Sequence, residues 1–390
     1  MAYPEPTEVA PWYLRNITQA LALDETSGNV YIRTDANVSI GNVTVGNVGV
    51  TSLGNVDISG NTLPISGNIT IDNSSIVTSF QPTATDAFGR LRVSNPLTLF
   101  DTQNRYFDHD LFATSTTGSG NSTYNANSST FLLSVSGAGD SVIRETYKTF
   151  IYQPGKSLLT LNTFAMNTPT AGITQRVGYF SSQNGIFFEV SGTTLNMVIR
   201  SYSSGSIVED RIPQSAWNGD KLNGTGSSGI TLDPALTQIF WIDIEWLGVG
   251  SVRTGFVING QYIICHTFNH ANQAGNTTTY MSTGTLPLRY ELSTSGAAGT
   301  LNQICSTVIS EGGYSLTGIS RSIGHNLATP VRLPNDQSFK PLISIRLKSA
   351  NKDAVVLPVS YTIAAVANSI YKYRIYIKGI TTGGSWVSAG

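Results

Sequence analysis

"QIFWIDIEWLGVGSVRTGFVINGQYIICHTF", residues 238–268, holds three runs of alternating apolar and polar side chains separated by glycine-bearing turns. Alternation with period two marks a half-buried β-strand, and Asn259-Gly260 is the best hairpin signal in the chain because both residue types accept positive φ. If Gly248–Gly250 is a three-residue loop, Trp246 stands opposite Val252, Ile244 opposite Thr254, Ile242 opposite Phe256 and Phe240 opposite Ile258. One face of the pair is then almost wholly apolar. The other carries Asp243, Glu245 and Arg253, with Glu245 directly across from Arg253 on a salt-bridged outer surface. A slip of one residue would reverse both faces, so burial specifies which one points inward.

The same pattern extends over residues 113–330, with turn signals every eight to twelve residues and no convincing amphipathic helix. That spacing predicts a β-sandwich. "RVGYFSSQNGIFFEVSGTTLNMVIRS" reads as three of its strands, with Ser191-Gly192 as a two-residue turn. Residues 331–390 add further alternation, including "SIYKYRIYIKGI", and read as C-terminal strands that complete the sandwich or cover an oligomer contact.

Upstream the character changes. "GNVTVGNVGVTSLGNVDISGNTLPISGNITI", residues 41–71, repeats Gly-Asn before short alternating runs, and Gly-Asn also occurs at 28. Residues 28–80 therefore read as a β-repeat shaft. Strands so short bury little by themselves and demand lateral neighbours. Residues 1–27 form a segment too short to fold alone, in which Trp12, Tyr13 and Leu14 are candidate anchoring residues for another chain. Residues 81–112 mix Pro82, Gly89 and Pro96 with Phe88, Leu91, Phe100, Tyr106 and Phe107, and read as a packed neck without a regular strand.

Composition narrows the function. The 390 residues carry 23 basic and 24 acidic side chains, a net charge of −1 and no basic run, so the footprint of nucleic-acid binding is absent. No apolar stretch is long enough for a membrane span, and the first residues lack the pattern of a signal peptide. Two cysteines, Cys265 and Cys305, make no disulfide framework.

"WIDIEW", residues 241–246, resembles the strand motif of jelly-roll glycoside hydrolases of the laminarinase and lichenase type, in which Glu, Asp and Glu alternate on one face. The resemblance implies a nucleophile and an acid among those carboxylates, but Trp241 stands where the first Glu belongs. Pairing of Glu245 with Arg253 favours a permanently ionised carboxylate over a tuned acid. "CHTFNH" places Cys265, His266 and His270 close in sequence, yet neighbouring strand residues point to opposite faces and do not converge on a metal without a bulge. "GKS" at 155–157 follows Phe150 where a phosphate loop needs glycine. No catalytic residue, metal or cofactor is assigned. Tyr202 and Trp217, on loops at a sandwich edge, are candidate glycan-stacking aromatics.

The strings "PWYLRNITQALALDETSGNVYIRT", "TDAFGRLRVSNPLTLFD", "GIFFEVSGTTL" and "WIDIEWLGVGSVR", with the Gly-Asn-Val repeats between the first two, resemble virion structural proteins of tailed phages, especially those of cyanobacterial phages. The resemblance implies a tail fibre or baseplate protein: an N-terminal anchor to other virion proteins, a thin shaft, and a jelly-roll or lectin-like β-sandwich head. It further implies a homo-oligomer, a trimer in that family. The absence of a signal peptide and of a disulfide framework fits a particle protein made in the host cytoplasm and released by lysis, and the edge aromatics Tyr202 and Trp217 add binding of host-surface polysaccharide by the head as a further reading. A capsid decoration protein and a glycan-active jelly-roll hydrolase are the alternatives.

Overall fold

The computed structural model describes residues 21–23, 30–32, 84–105, 111–313, 319–325, 328–333, 338–348, 356–364, 372–376 and 386. Trp12, Tyr13, Leu14 and the Gly-Asn repeat of 41–71 lie outside these. Met1–Ile76 and Val77–Gly390 are two compact units. In the first, β1 (Leu21–Leu23) and β2 (Val30–Ile32) pair antiparallel, Leu21 opposite Ile32.

The second unit is an all-β sandwich, and every strand pairing among its described residues is antiparallel. Its strands begin with β3 (Leu97–Thr102), β4 (Phe112–Thr117), β5 (Asn121–Asn125), β6 (Thr130–Val135) and β7 (Ser141–Thr146). They continue through β8 (Leu158–Met166), β9 (Ile173–Phe180), β10 (Gly185–Ser191), β11 (Thr194–Ser201) and β12 (Val208–Pro213). β13 (Gln238–Ile244), β14 (Val252–Ile258), β15 (Gln261–Phe268), β16 (Leu288–Thr294) and β17 (Gly299–Ser310) complete it. A seven-stranded sheet runs β12-β11-β10-β9-β16-β7-β4, an eight-stranded sheet runs β15-β14-β13-β8-β17-β6-β5, and β3 also pairs with β17. Among the described residues no helix is long and apolar enough to cross a membrane.

The inner faces supply one core. Phe240, Ile242 and Ile244 of β13 meet Phe188 and Ile186 of β10, all fully buried. Aromatic packing joins the sheets, with Phe188 and Phe256 edge to face at 5.2 Å. Arg144 of β7 enters this core with partners: its Nε donates to Gln303 Oε1 of β17 at 2.6 Å, and its guanidinium lies over the Phe131 ring.

Several expectations are corrected. The β13–β14 register is shifted by two: Ile244 faces Val252, Asp243 faces Arg253 and Phe240 faces Phe256. The loop is longer than three residues because Leu247 and Gly248 both take positive φ and Gly250 N–H closes onto the Trp246 carbonyl at 2.7 Å. A shift of two preserves the faces, so Phe240, Ile242 and Ile244 still point inward. Ser191 pairs with Thr194, which moves that turn to Gly192-Thr193, with Gly192 at φ 59°. Asn259-Gly260 is the two-residue turn expected, both at positive φ. Leu97–Thr102 of the neck is a regular strand. Phe100 of the neck is buried, but Phe88 and Leu91 are exposed. The described residues of 331–390 pair in no strand and are exposed.

Candidate functional site

The carboxylates of "WIDIEW" sit on the outer face of β13, as alternation requires, yet both are buried. Residues 84–92 cross over them. Arg92 Nη2 lies 2.5 Å from Asp243 Oδ1, and Arg253 Nη2 lies 2.5 Å from Asp243 Oδ2. Glu245 pairs with Arg90, which also grips Asp86, and Arg253 donates to the Thr85 carbonyl. The expected Glu245–Arg253 pair on a wet surface is therefore replaced by an Asp243–Arg253 pair under a cover. Glu245 is not held ionised either. Burial pushes its carboxyl up to about 7 against the pull of Arg90, with Asp86 and Asp243 adding to the rise.

The other histidine and cysteine readings resolve simply. A bulge on β15 falls at Cys265, yet Cys265 is packed in the core, where burial pushes its thiol well above the usual range. His266 Nδ1 accepts from the Asn218 amide at 3.2 Å. His270 stacks on Tyr280 with ring centroids 3.7 Å apart and hydrogen-bonds the Gly250 carbonyl through Nδ1. Each ring is occupied separately, and the three do not gather.

Of the two aromatics chosen for sugar stacking, Trp217 is a core residue. The 3-10 turn Gln214–Ala216 directs it inward, where it packs with the main core and donates Nε1–H to the Ile212 carbonyl at 3.0 Å. It presents no face to a ligand. Tyr202 is half-buried on the β11–β12 loop, its amide held by Asn184 Oδ1 at 3.1 Å.

A groove unassigned from sequence lies on the outer face of the seven-stranded sheet. It is open, has a volume of about 410 Å³, and is lined by Ser182, Arg200, Ile207, Glu209, Arg211, Arg289 and Glu291. Cross-strand register builds it row by row, because residues directly opposite in an antiparallel pair share a face. One row places Arg211, Val198, Phe187, Gly178, Arg289 and Glu145 side by side across β12 to β7. The next places Asn196, Glu189, Arg176 and Glu291 in line. A third runs Glu209, Arg200, Gly185, Phe180.

Ion pairs tie the rows together. Glu189, fully buried, accepts from Arg176 Nε at 2.8 Å and from Arg211 Nε at 2.9 Å. Arg176 also reaches Glu291 at 3.0 Å, Arg200 reaches Glu209 at 2.7 Å, and Arg289 reaches Glu145 at 2.8 Å. Beneath them Phe180 and Phe187 lie 4.4 Å apart, with the Arg200 guanidinium 5.1 Å from the Phe187 ring and that of Arg289 5.6 Å from the Phe180 ring. Burial alone would raise Glu209 and Glu291, but Arg200 for the first and Arg289 with Arg176 for the second hold both below the usual carboxylate range. Burial would lower Arg211, but Glu189 outweighs it and raises the guanidinium further. The groove is thus a fixed array of charged donors and acceptors on an aromatic floor.

No protein-family model matches the chain, and no curated protein matches it. Among solved structures, the sandwich is similar to the binding domain of botulinum neurotoxin serotype C1, at 12% identity over 57% of this chain and 50% of that one, with a TM-score of 0.34. The chain thus spans about half the length of that toxin domain. It is also similar to arcelin-5, a lectin-like defence protein from Phaseolus vulgaris, at 9% identity over 55% of this chain and 98% of that one, TM-score 0.34. A glycosyl hydrolase family protein from Mycobacterium fortuitum is similar at 10% identity, over 54% of this chain and 99% of that one, TM-score 0.36.

Proposed function

We propose that this chain is a non-enzymatic structural protein of a tailed-phage particle, of the tail fibre or baseplate type, whose sandwich binds host-surface polysaccharide in the groove of Arg200 and Arg211. The groove carries the binding part of this reading. A sugar ring offers hydroxyls around its edge and apolar C–H faces. The groove offers guanidinium donors and carboxylate acceptors held in place by one another, with exposed Ile207 among the residues lining it. Groups already fixed before binding lose little freedom when a ligand arrives.

The non-enzymatic part is supported by the cover over Asp243 and Glu245. A retaining glycosidase needs two carboxyl groups flanking the scissile bond. Here each carboxylate is engaged by an arginine of residues 84–92, and a substrate would have to displace that segment.

Assembly as a homo-oligomer, a trimer in this proposal, is supported by the exposed apolar side chains past β17, among them Ile345, Val359, Tyr361 and Ile375. Copies of the same chain would cover them. The N-terminal segment with Trp12, Tyr13 and Leu14 is the proposed anchor to other virion proteins.

The test has two arms. Purified full-length protein should bind host cells or their extracted polysaccharide, and Arg211→Ala should weaken that binding; undiminished binding by the variant removes the groove from the proposal. A gold label on the C-terminus should appear on the tail in electron micrographs. A label on the head shell would replace the tail reading with a capsid decoration role.

A further inference from the structure

Where residues 84–92 cross the eight-stranded sheet, four oxygen-bearing side chains converge from separate parts of the chain. The ladder pairs Ile244 with Leu158 and Ser310 with Leu158, so one step further Glu245, Ser157 and Glu311 stand in one row across β13, β8 and β17. The Glu311 amide donates to the Ser157 carbonyl at 3.1 Å, which fixes that step. Leu158 points into the core, so the row faces outward, beneath Asp86. One carboxylate oxygen from each of Asp86, Glu245 and Glu311 lies within 4.8 Å of the others.

Asp86 accepts the Phe88 and Arg90 amides on Oδ1 and Arg90 Nε on Oδ2, but the other members of the cluster are short of donors. Ser157 is fully buried, its row aims it at the cluster, and its Oγ has no hydrogen-bond partner. Glu245 is fully buried too, and its Oε2 has none. Among the described residues no side chain donates a hydrogen bond to the Glu311 carboxylate. The cation present is Arg90, bonded to Asp86 and Glu245 from a half-exposed position. One guanidinium faces three carboxylates.

We propose that Asp86, Ser157, Glu245 and Glu311 form a calcium site that pins residues 84–92 to the sandwich, with Arg90 turning toward solvent when the ion enters. All four donors are hard oxygens, the ligand class of calcium and magnesium. Oxygens on opposite sides of a calcium ion stand about 4.6–5.2 Å apart, against about 4.0–4.2 Å for magnesium. Oxygens within 4.8 Å of one another can share one calcium ion.

The test uses the full chain, stripped with a chelator and titrated with calcium chloride, with uptake read by equilibrium dialysis and stability by thermal melting. Expected are one ion per chain and a melting point several degrees higher at about a hundred times the dissociation constant. Glu311→Gln, at a half-buried position, should weaken uptake about tenfold or more, and Arg90→Gln should tighten it by removing the competing cation. No uptake by the native chain overturns the proposal, even if Arg90→Gln takes up calcium, because Arg90 is then the permanent cation. Uptake unchanged by Glu311→Gln, or an equal melting shift with magnesium or with sodium chloride of matched ionic strength, overturns it as well.

Discussion

Arg92 and Asp243 meet at 2.5 Å across 151 positions of sequence, and the contact closes the neck over the outer face of β13. Asp243 is buried and holds Arg253 through its other oxygen, also at 2.5 Å. Removing one member of a buried charge group leaves the others uncompensated, at a cost of about 3–5 kcal/mol. Asp243→Ala should therefore destabilise the sandwich by about 3 kcal/mol or more, a fall in melting point of about 6–12 °C for a domain of this size. Arg92→Ala should cost less, because Arg253 still faces the carboxylate. Equal melting points for the native and Asp243→Ala proteins would show that the neck does not depend on this pair.

In the groove, Arg211 is the exposed member of the network while Glu189 beneath it keeps Arg176. A hydrogen bond to a charged group contributes about 1.5–3 kcal/mol to binding, so Arg211→Ala should weaken polysaccharide binding about tenfold or more. Its effect on stability should be smaller than that of Asp243→Ala, because the buried Glu189 keeps Arg176 as a partner. Binding isotherms and melting curves on the same preparation separate the two effects.

Gly178 makes the groove floor possible. A Cβ at this position would meet the Ile186 carbonyl at 2.4 Å and the Phe187 Cβ at 2.8 Å. Phe187 lies directly across from it, and Arg289 is its neighbour on the other side. Gly178→Ala should push the Phe187 ring out of its contact with Phe180 and destabilise the protein by about 1–3 kcal/mol, the usual cost of overpacking. The same variant should lose polysaccharide binding in proportion; a melting point at or above the native value would mean that the strand shifts to make room.

The sequence made the strands legible because alternation is local: Phe240, Ile242 and Ile244 declare their face without reference to any partner. Which strands become neighbours is a different kind of fact. Arg176 meets Glu291 only because β16, more than a hundred residues later, inserts beside β9. The groove is written as scattered outward charges in "RVGYF", "FFEVS", "VIRS", "VEDRIP" and "LRYELS", each of which reads as an ordinary wet position. Trp217 failed for the opposite reason, since one 3-10 turn reverses a loop aromatic into the core. The Glu245–Arg253 pairing failed on the conformation of two residues, Leu247 and Gly248, whose positive φ lengthens the loop by two.

Deleting residues 1–76 addresses the first compact unit. Val77–Gly390 holds both sheets of the sandwich and its core, so the fragment should keep native strand content and polysaccharide binding. If the Gly-Asn repeat is an assembly element, the fragment should also sediment as a smaller species than the full chain. Identical sedimentation stoichiometry for both would reduce the repeat to a spacer.

Acid should unfasten one end of the sandwich through Asp140. Its carboxylate accepts the amides of Gly137 at 2.7 Å, Ser119 at 2.8 Å and Ser136 at 3.1 Å, joining the β4–β5 turn to the β6–β7 turn. Those amide bonds, that of Gly137 foremost, hold it below the usual aspartate range. A carboxylate depressed in the folded state stabilises that state above its unfolded value of about 3.9, and the contribution is lost as pH falls through the folded value. The difference in melting point between the native protein and Asp140→Asn should thus be constant from neutral pH to about 5 and shrink below about 4. A difference that is flat down to pH 2 would mean that Asp140 keeps its proton count on folding and holds the two turns by shape alone.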